Sequence, residues 1–511
     1  MFGRIAASPS KTFLILSAAF VAGTAFHALD ERPWLPQGWF IWPAAVFAGA
    51  IIVWRRRQRL RLIFAALALI LSALARYDAV VAVPAETPPP LQASRFTGTV
   101  CAEPSRGIRS TVLIMDRVLV FPTGQAVSGR ARLVSSFPEE IRYGDRLAWE
   151  CRPRPAAVDG TAAASLVLKD IAWQCFLRQP PRLMAAAGVS AGGLLYSFKE
   201  RLRRVAGVLL PEPESSFLLG LLIGERQGIP DNLAEAFRRT GTSHILAVSG
   251  YNVSRLVDIF FILFACAAVR RRRAAGLVAV AILGFVAVVG GGASVVRAAV
   301  MGCTSLLAAG LGRRYSGLGA LLAAAAVMLA ANPLILRHDI GFQLSFAAVW
   351  GMHALGQPLT RRLVFVPEAF GLRQTMGETL AATLMTTPVV LQAFGRLPLI
   401  GPLVNLLVLP LVPWAMFAGG LAVLLGSFHA AAGLPLAFLA GLTLRLIEGI
   451  ILAASYIAPL NIAVVVGPVA AAALYFWIWL LWFALSRAKP VVLFGRTGLP
   501  DMEVEVIDHG L

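Results

Sequence analysis

Arg297 stands inside an otherwise apolar stretch, and polar residues interrupt other apolar stretches of this sequence in the same way. Thr240-Gly241-Thr242-Ser243-His244 runs into Ile245-Leu246-Ala247-Val248-Ser249-Gly250-Tyr251-Asn252. Gly290-Gly291-Gly292-Ala293-Ser294 precedes Arg297, and Asp339-Ile340-Gly341-Phe342-Gln343-Leu344-Ser345 is polar at alternate positions where a helix should begin. Gln392, Asn405, Arg445 and Glu448 follow, while Arg255 and Asp258 lie just beyond Asn252. An arginine at membrane depth offers a fixed positive charge, and His244, Ser249 and Asn252 offer neutral donors. Buried polar groups and broken backbone in lipid need protein or water partners, so by default they mark a function. The chemistry they suit is the binding and passage of a polar solute.

Bond-making chemistry finds less support. His244 lies near Ser249, yet Ala247-Val248-Ser249-Gly250-Tyr251 is not G-x-S-x-G, and positions five apart point to different helix faces. Neither a Walker A loop, a G-x-G-x-x-G run nor a paired acidic metal site occurs. The five cysteines form no C-x-x-C pair, so a zinc site is not expected. Cys266 and Cys303 read as packing residues, and His338, His353 and His429 as interfacial side chains near helix ends. No catalytic residue, metal or cofactor is assigned.

The elements that must position these residues follow from composition. The 511 residues are 58% hydrophobic and 14% charged, with a mean hydropathy of +0.73. That excludes an ordinary soluble enzyme and predicts a polytopic α-helical membrane protein. Three apolar segments, 12–28, 39–54 and 62–82, form an N-terminal unit over 1–84. The basic run from Trp54 to Arg61 between the second and third belongs in the cytoplasm, which puts the chain after residue 82 outside. The net charge of +19 fits basic cytoplasmic loops and does not by itself point to nucleic acid.

Residues 85–182 change character. Runs with strand patterning occur at Phe96–Val100, Thr111–Val120, Arg130–Val134, Arg146–Cys151 and Leu166–Cys175, separated by turn signals. They predict a small extracytoplasmic all-β domain of the OB (oligonucleotide/oligosaccharide-binding) type, which either takes a ligand or is a folded spacer. Cys101, Cys151 and Cys175 all fall there, and an oxidising compartment favours one disulfide. Cys101–Cys151 is expected, because the first and fourth strands of such a barrel adjoin.

Residues 183–213 form an amphipathic linker, with Lys199, Arg201, Arg203 and Arg204 beside Leu194, Leu195 and Phe198. The short apolar piece 216–224 reads as a re-entrant or interfacial piece, and it opens a transmembrane core over 214–486. Nine further apolar segments follow: 252–268, 275–291, 294–311, 317–331, 341–357, 377–395, 400–425, 431–458 and 463–486. Their basic flanks at Arg270–Arg273, Arg313-Arg314, Arg361-Arg362 and Arg487/Lys489 share one side if every segment spans. The count is about twelve helices, with a short cytoplasmic tail over 487–511 whose 502–507 stretch reads as a lone strand. Arg255 with Asp258, and Arg445 with Glu448, are spaced to pair along one helix face. Arg297 has two readings: it lines a hydrated path, or it holds helices together by pairing with Glu448 or Asp258.

Phe217-Leu218-Leu219-Gly220-Leu221-Leu222-Ile223-Gly224-Glu225-Arg226, followed by Phe237-Arg238-Arg239 and the stretch from Thr240 to Gly250, resembles the core motif of the ComEC-type competence family. Ser294-Val295-Val296-Arg297-Ala298-Ala299-Val300-Met301 is similar to a second landmark, and Asn332-Pro333 through Asp339 to Gly341-Phe342-Gln343-Leu344-Ser345-Phe346 to a third. Thr387-Pro388, Phe394-Gly395 and Asn405-Leu406-Leu407-Val408-Leu409-Pro410 are similar to a fourth. The resemblance covers about residues 20–486 and implies an inner-membrane channel that passes single-stranded DNA inward during natural transformation. It also implies an extracytoplasmic OB-like domain, an outer DNA-receptor protein and a cytoplasmic ATPase motor. The chain itself carries no H-x-H-x-D-H metal motif, so a separate nuclease would degrade the other strand. His244, Ser249, Gly250, Asn252, Arg297, Asp339, Gln343, Ser345 and Asn405 are then expected along the translocation path, with membrane lipid around the helices. Two departures stand out. Gly250-Tyr251-Asn252-Val253 replaces the family's usual Gly-Leu-His-Val, and Val506-Ile507-Asp508-His509-Gly510-Leu511 resembles at most the opening of the family's metallo-β-lactamase-like domain. They favour the rival reading, a small-solute or lipid transporter built on the same helices.

Overall fold

The computed structural model describes residues 9–28, 41–53, 57–81, 92, 94–106, 110–137, 141–155, 166, 168–188, 190–225, 228–246, 250, 271–313, 315–368, 371–457 and 461–487. The expected helix 252–268, with Arg255 and Asp258, lies outside them, as does the 502–507 strand. Among the described residues, each of the other expected apolar segments contains a helix.

The N-terminal helices are α1 (Pro9–His27), α2 (Ile41–Val53) and α3 (Gln58–Val81). A buried contact that sequence reading did not single out joins α1 to α3. His27 Nε2 donates to Asp78 Oδ1 at 2.7 Å, and the Tyr77 ring stacks on the imidazole at 4.6 Å between centroids. Arg76 donates to the carbonyls of Ala330 and Ala331, and Arg337 to that of Ala28, so this unit is tied to later helices.

The β domain is a mixed sheet of β1 (Ser94–Val100), β2 (Ser105–Arg106), β3 (Thr111–Phe121), β4 (Gln125–Ala126), β5 (Arg130–Ser135), β6 (Arg146–Cys151), β7 (Arg154–Pro155), β8 (Ile171–Leu177) and β9 (Arg182–Ala185). The order is β7-β8-β5-β3-β1-β6-β9, with β2 and β4 paired on β3. Only β5 and β8 run parallel. Because β7 follows β6 after two residues and pairs with β8, the two ends of the sheet meet. Alternation drives this: β5 and β8 bury every second side chain, and Phe96, Leu113, Met115, Leu133, Trp149 and Trp173 fill the interior. Each such side chain contributes about 1.5–3 kcal/mol by leaving water. The last strand begins at Ile171, later than the expected Leu166, because Lys169 and Asp170 form a turn just before it. Lys169 N–H donates to the Leu166 carbonyl, and Asp170 takes a φ of 57°.

The disulfide expectation is corrected. Cys151 bonds Cys175, with Cα atoms 5.9 Å apart, and Cys101 is free. The first and fourth main strands do adjoin, but antiparallel register sets Ser94 opposite Cys151. Cys101 is seven residues further along, about 23 Å at ~3.3 Å per residue. It lies instead beside Ile114, whose carbonyl accepts from both its N–H and its thiol.

The helical core comprises α4 (Ala191–Leu209), α5 (Glu214–Ile223), α6 (Asp231–Arg239), α7 (Arg271–Val289), α8 (Ala293–Gly310), α9 (Gly317–Ala331), α10 (Ile335–His338) and α11 (Ile340–Gly351). A π-helical turn (Met352–Gly356) leads into α12 (Gln357–Thr360) and α13 (Leu372–Phe394). Next come β10 (Arg396–Pro398), α14 (Gly401–Val408), α15 (Val412–Gly426), α16 (Ala430–Tyr456), β11 (Asn461–Ala463) and α17 (Pro468–Arg487). Among the described residues, α3, α16 and α17 are long and apolar enough to cross a membrane, and α14 with α15 would make a fourth span bent by 46°. The bend falls at Pro410, which has no N–H to continue the helix. The pairing of β10 with β11 was not expected. The apolar α5, ended by Gly224 at a φ of 75°, is buried among α4, α6 and α14–α16, with Phe217 packed edge-on against Phe237.

Candidate functional site

The glycine-rich break at Gly290–Gly292 does positional work. Gly290 and Gly291 both take positive φ, 93° and 71°, which suits residues without a Cβ and lets the chain reverse between α7 and α8. Arg297 then falls on the first turn and a half of α8, and it is buried. On the facing side, the Asp339 side chain accepts from Phe342 N–H at 3.0 Å and caps the start of α11. Gln343 Nε2 donates to the carbonyls of Leu336 and Arg337, at 2.9 and 3.0 Å, satisfying the end of α10. These two residues therefore serve the local backbone, and in doing so they set the position of Ser345 one turn on.

Arg297 Nη1 donates to both the hydroxyl and the carbonyl of Ser345, and its guanidinium lies over the Phe346 ring, 5.9 Å from the centroid. Gly250 closes the group: a Cβ there would sit 2.6 Å from Arg297 Nη2. So the structure brings together three of the expected residues, Gly250, Arg297 and Ser345, from distant parts of the chain. Arg297 Nε is buried without a hydrogen-bond partner. No carboxylate pairs with the guanidinium among the described residues, Glu448 included. A buried cation with spare donors and no counter-ion is disposed to accept an anion.

The other expected residues lie elsewhere. His244 is exposed, with Nδ1 3.2 Å from the Gly241 carbonyl oxygen, in a turn braced by the Thr240–Thr242 hydroxyl contact at 2.8 Å. That turn packs on β10 and the start of α14: a Cβ on Gly241 would meet Pro398 at 2.5 Å, and one on Gly401 the Thr240 carbonyl at 3.2 Å. Asn405 is buried on α14, and its Oδ1 has no partner. Ser249 and Asn252 fall outside the described residues.

The expected Arg445–Glu448 pair is not formed. Arg445 bonds Glu214 at the start of α5, and Glu448 Oε1 is buried without a partner. Sequence reading does not single out Glu214, His27 or Asp78, because their partners lie 231 and 51 residues away. In all three the available signal was an ionisable group beside an apolar run. Where the β domain meets the helical core, Glu103 pairs with Lys199 at 2.7 Å and Arg203 at 3.4 Å, and Arg203 also pairs with Glu225 at 2.6 Å. This network docks the β domain on α4.

The family model described as Competence protein matches residues 221–490, which includes Gly250, Arg297, Ser345 and Asn405. ComE operon protein 3 of Bacillus subtilis (strain 168) is 27% identical over 238 residues. That alignment covers 46% of this chain and 30% of the relative's length. No solved structure matches the chain. With more than half of its residues matched by the family model, and the motif residues gathered around Arg297, the chain belongs to the Competence protein family.

Proposed function

We propose that the chain is the multi-pass inner-membrane conduit through which one strand of DNA enters the cytoplasm in natural transformation. The observation that carries this reading is Arg297, a buried guanidinium within the family-matched region that has spare donors and no counter-ion among the described residues. A polyanion crossing a bilayer needs such fixed charge together with neutral hydrogen-bonding groups. Gly250, Ser345, Asn405 and His244 fit along that path with Ser249 and Asn252, while Asp339 and Gln343 contribute by shaping its wall.

The strand order supports an OB-type β domain, since three consecutive antiparallel strands are followed by a parallel β5–β8 pair and closure through β6–β7. The basic run Trp54–Arg61 favours the outer side for it. The conduit has about twelve helices. It works with an outer DNA-receptor protein, a cytoplasmic ATPase motor and a separate nuclease. Deleting the gene and scoring transformation by a chromosomal marker tests the reading. A loss of transformants restored by the full chain is expected, and wild-type frequencies would leave the small-solute or lipid transporter in its place.

A further inference from the structure

α4 turns two of its sides toward the rest of the protein. Ala206 and Leu209 enter the helical core, and a Cβ on Gly426 of α15 would meet Leu209 at 2.8 Å and Val205 at 3.1 Å. Lys199 and Arg203 face Glu103 and Glu225, and Glu200, the one acid of the helix, bonds Arg203. The third side is exposed and carries Leu194, Phe198, Arg201, Arg204 and Val208, which follow one another at steps of three or four residues. Arg201 gives Nη2 to the Ser427 carbonyl and has no other partner among the described residues. Arg204 has none at all among them. This side therefore holds two arginines about one turn apart, set among apolar side chains and without an acid.

Only Ser427, Phe428 and His429 join the apolar helices α15 and α16, so their turn lies at an edge of the apolar zone and not within it. Arg201, Val205 and Leu209 all reach this turn, which puts α4 at the same level, with the exposed Phe428 beside it. We infer that the exposed side of α4 binds the headgroup phosphate of an anionic phospholipid, with Leu194, Phe198, Val208 and Phe428 set among the acyl chains. Guanidinium groups match phosphate oxygens with paired donors, and an interfacial helix gains from apolar burial and charge attraction together. A choline headgroup brings its own cation, which two uncompensated arginines disfavour. A soluble polyanion would pair the arginines yet leave the four apolar side chains in water. Because Glu103 ties α4 to the β domain, a lipid held here fixes that domain against the bilayer surface. The inference needs a membrane around the helices but no particular solute, so it holds for the conduit and for its rival alike.

The test is native mass spectrometry of the full chain in a neutral detergent, titrated with phosphatidylglycerol or phosphatidylcholine of the same acyl chains. The wild type should prefer phosphatidylglycerol, and the preference should shrink as salt rises. Arg204→Gln, which removes no described contact, should weaken phosphatidylglycerol binding about fivefold to a hundredfold and leave phosphatidylcholine unchanged. Phe198→Ser should weaken both lipids, and Arg178→Gln, an exposed arginine of the β domain, should bind as wild type. An intact Cys151–Cys175 bond in each variant checks the fold. Equal affinity of the wild type for the two lipids, or unchanged phosphatidylglycerol affinity in Arg204→Gln, overturns the site. Displacement of the lipid by glycerol phosphate would give the arginines to a free phosphate, and displacement by an oligothymidylate would give them to nucleic acid; either result also overturns it. Transformant counts in a deletion strain do not bear on this titration, so its failure and failure of the conduit reading are read separately.

Discussion

Arg297 gives one guanidinium nitrogen to both the hydroxyl and the carbonyl of Ser345, 48 residues away on another helix. The arginine is held by neutral acceptors and keeps its charge uncompensated among the described residues. Arg297→Gln should therefore lower transformation while abundance and membrane insertion stay near wild type. A hydrogen bond to a charged group is worth about 1.5–3 kcal/mol, roughly a tenfold to hundredfold loss. Transformation frequency normalised to immunoblotted protein is the measurement. A well-expressed variant at wild-type frequency removes Arg297 from the path, and a collapse in abundance assigns it to helix packing.

Gly250 is bound to the same group by space. A methyl at that position meets Arg297 Nη2 at 2.6 Å, so Gly250→Ala must shift the guanidinium. Residues in contact couple, and the double variant Gly250→Ala with Arg297→Gln should be no worse than Arg297→Gln alone. Additive losses would mean that Gly250 acts through something other than this arginine.

Cys151–Cys175 closes the seam where β6 and β8 approach. Closing a loop of 24 residues stabilises by about 3 kcal/mol, so Cys151→Ser or Cys175→Ser should leave the β domain open to limited proteolysis. Cys101→Ser should be silent in that assay. Burial and the nearby Asp116 push the Cys101 thiol up, so it should alkylate slowly at neutral pH and faster as pH rises. Non-reducing peptide mapping that recovers a Cys101–Cys151 peptide would reverse the assignment.

Arg201 Nη2 donates to the Ser427 carbonyl at 2.8 Å, which sets the turn between α15 and α16 against α4. Strict alternation of spanning segments puts that turn across the bilayer from α4. The contact predicts that Phe428, 84% exposed, lies on the side of the β domain. In a background that keeps only the Cys151–Cys175 pair, a membrane-impermeant maleimide should label Phe428→Cys in intact cells. Labelling only after permeabilisation would restore the alternation and remove the contact.

The amino-acid pattern alone marked the apolar helices, the five main strands of the β domain and the polar positions that break the pattern, because hydropathy and alternation are local and report burial directly. Short strands such as β10 and β11 carry no such signal. Gly250, Arg297 and Ser345 were legible as interruptions for this reason. Partners were not legible. Asp339 and Gln343 follow the same polar pattern as Ser345, yet their atoms are taken up by a helix cap and by two carbonyls. Arg445 had an acid three residues away and pairs instead with Glu214, 231 residues distant. His27 meets Asp78 across 51 residues, and Cys151 takes Cys175 because strand register moves Cys101 to the far end of β1. Each of these choices depends on distance between elements, which tertiary packing sets and no local pattern encodes.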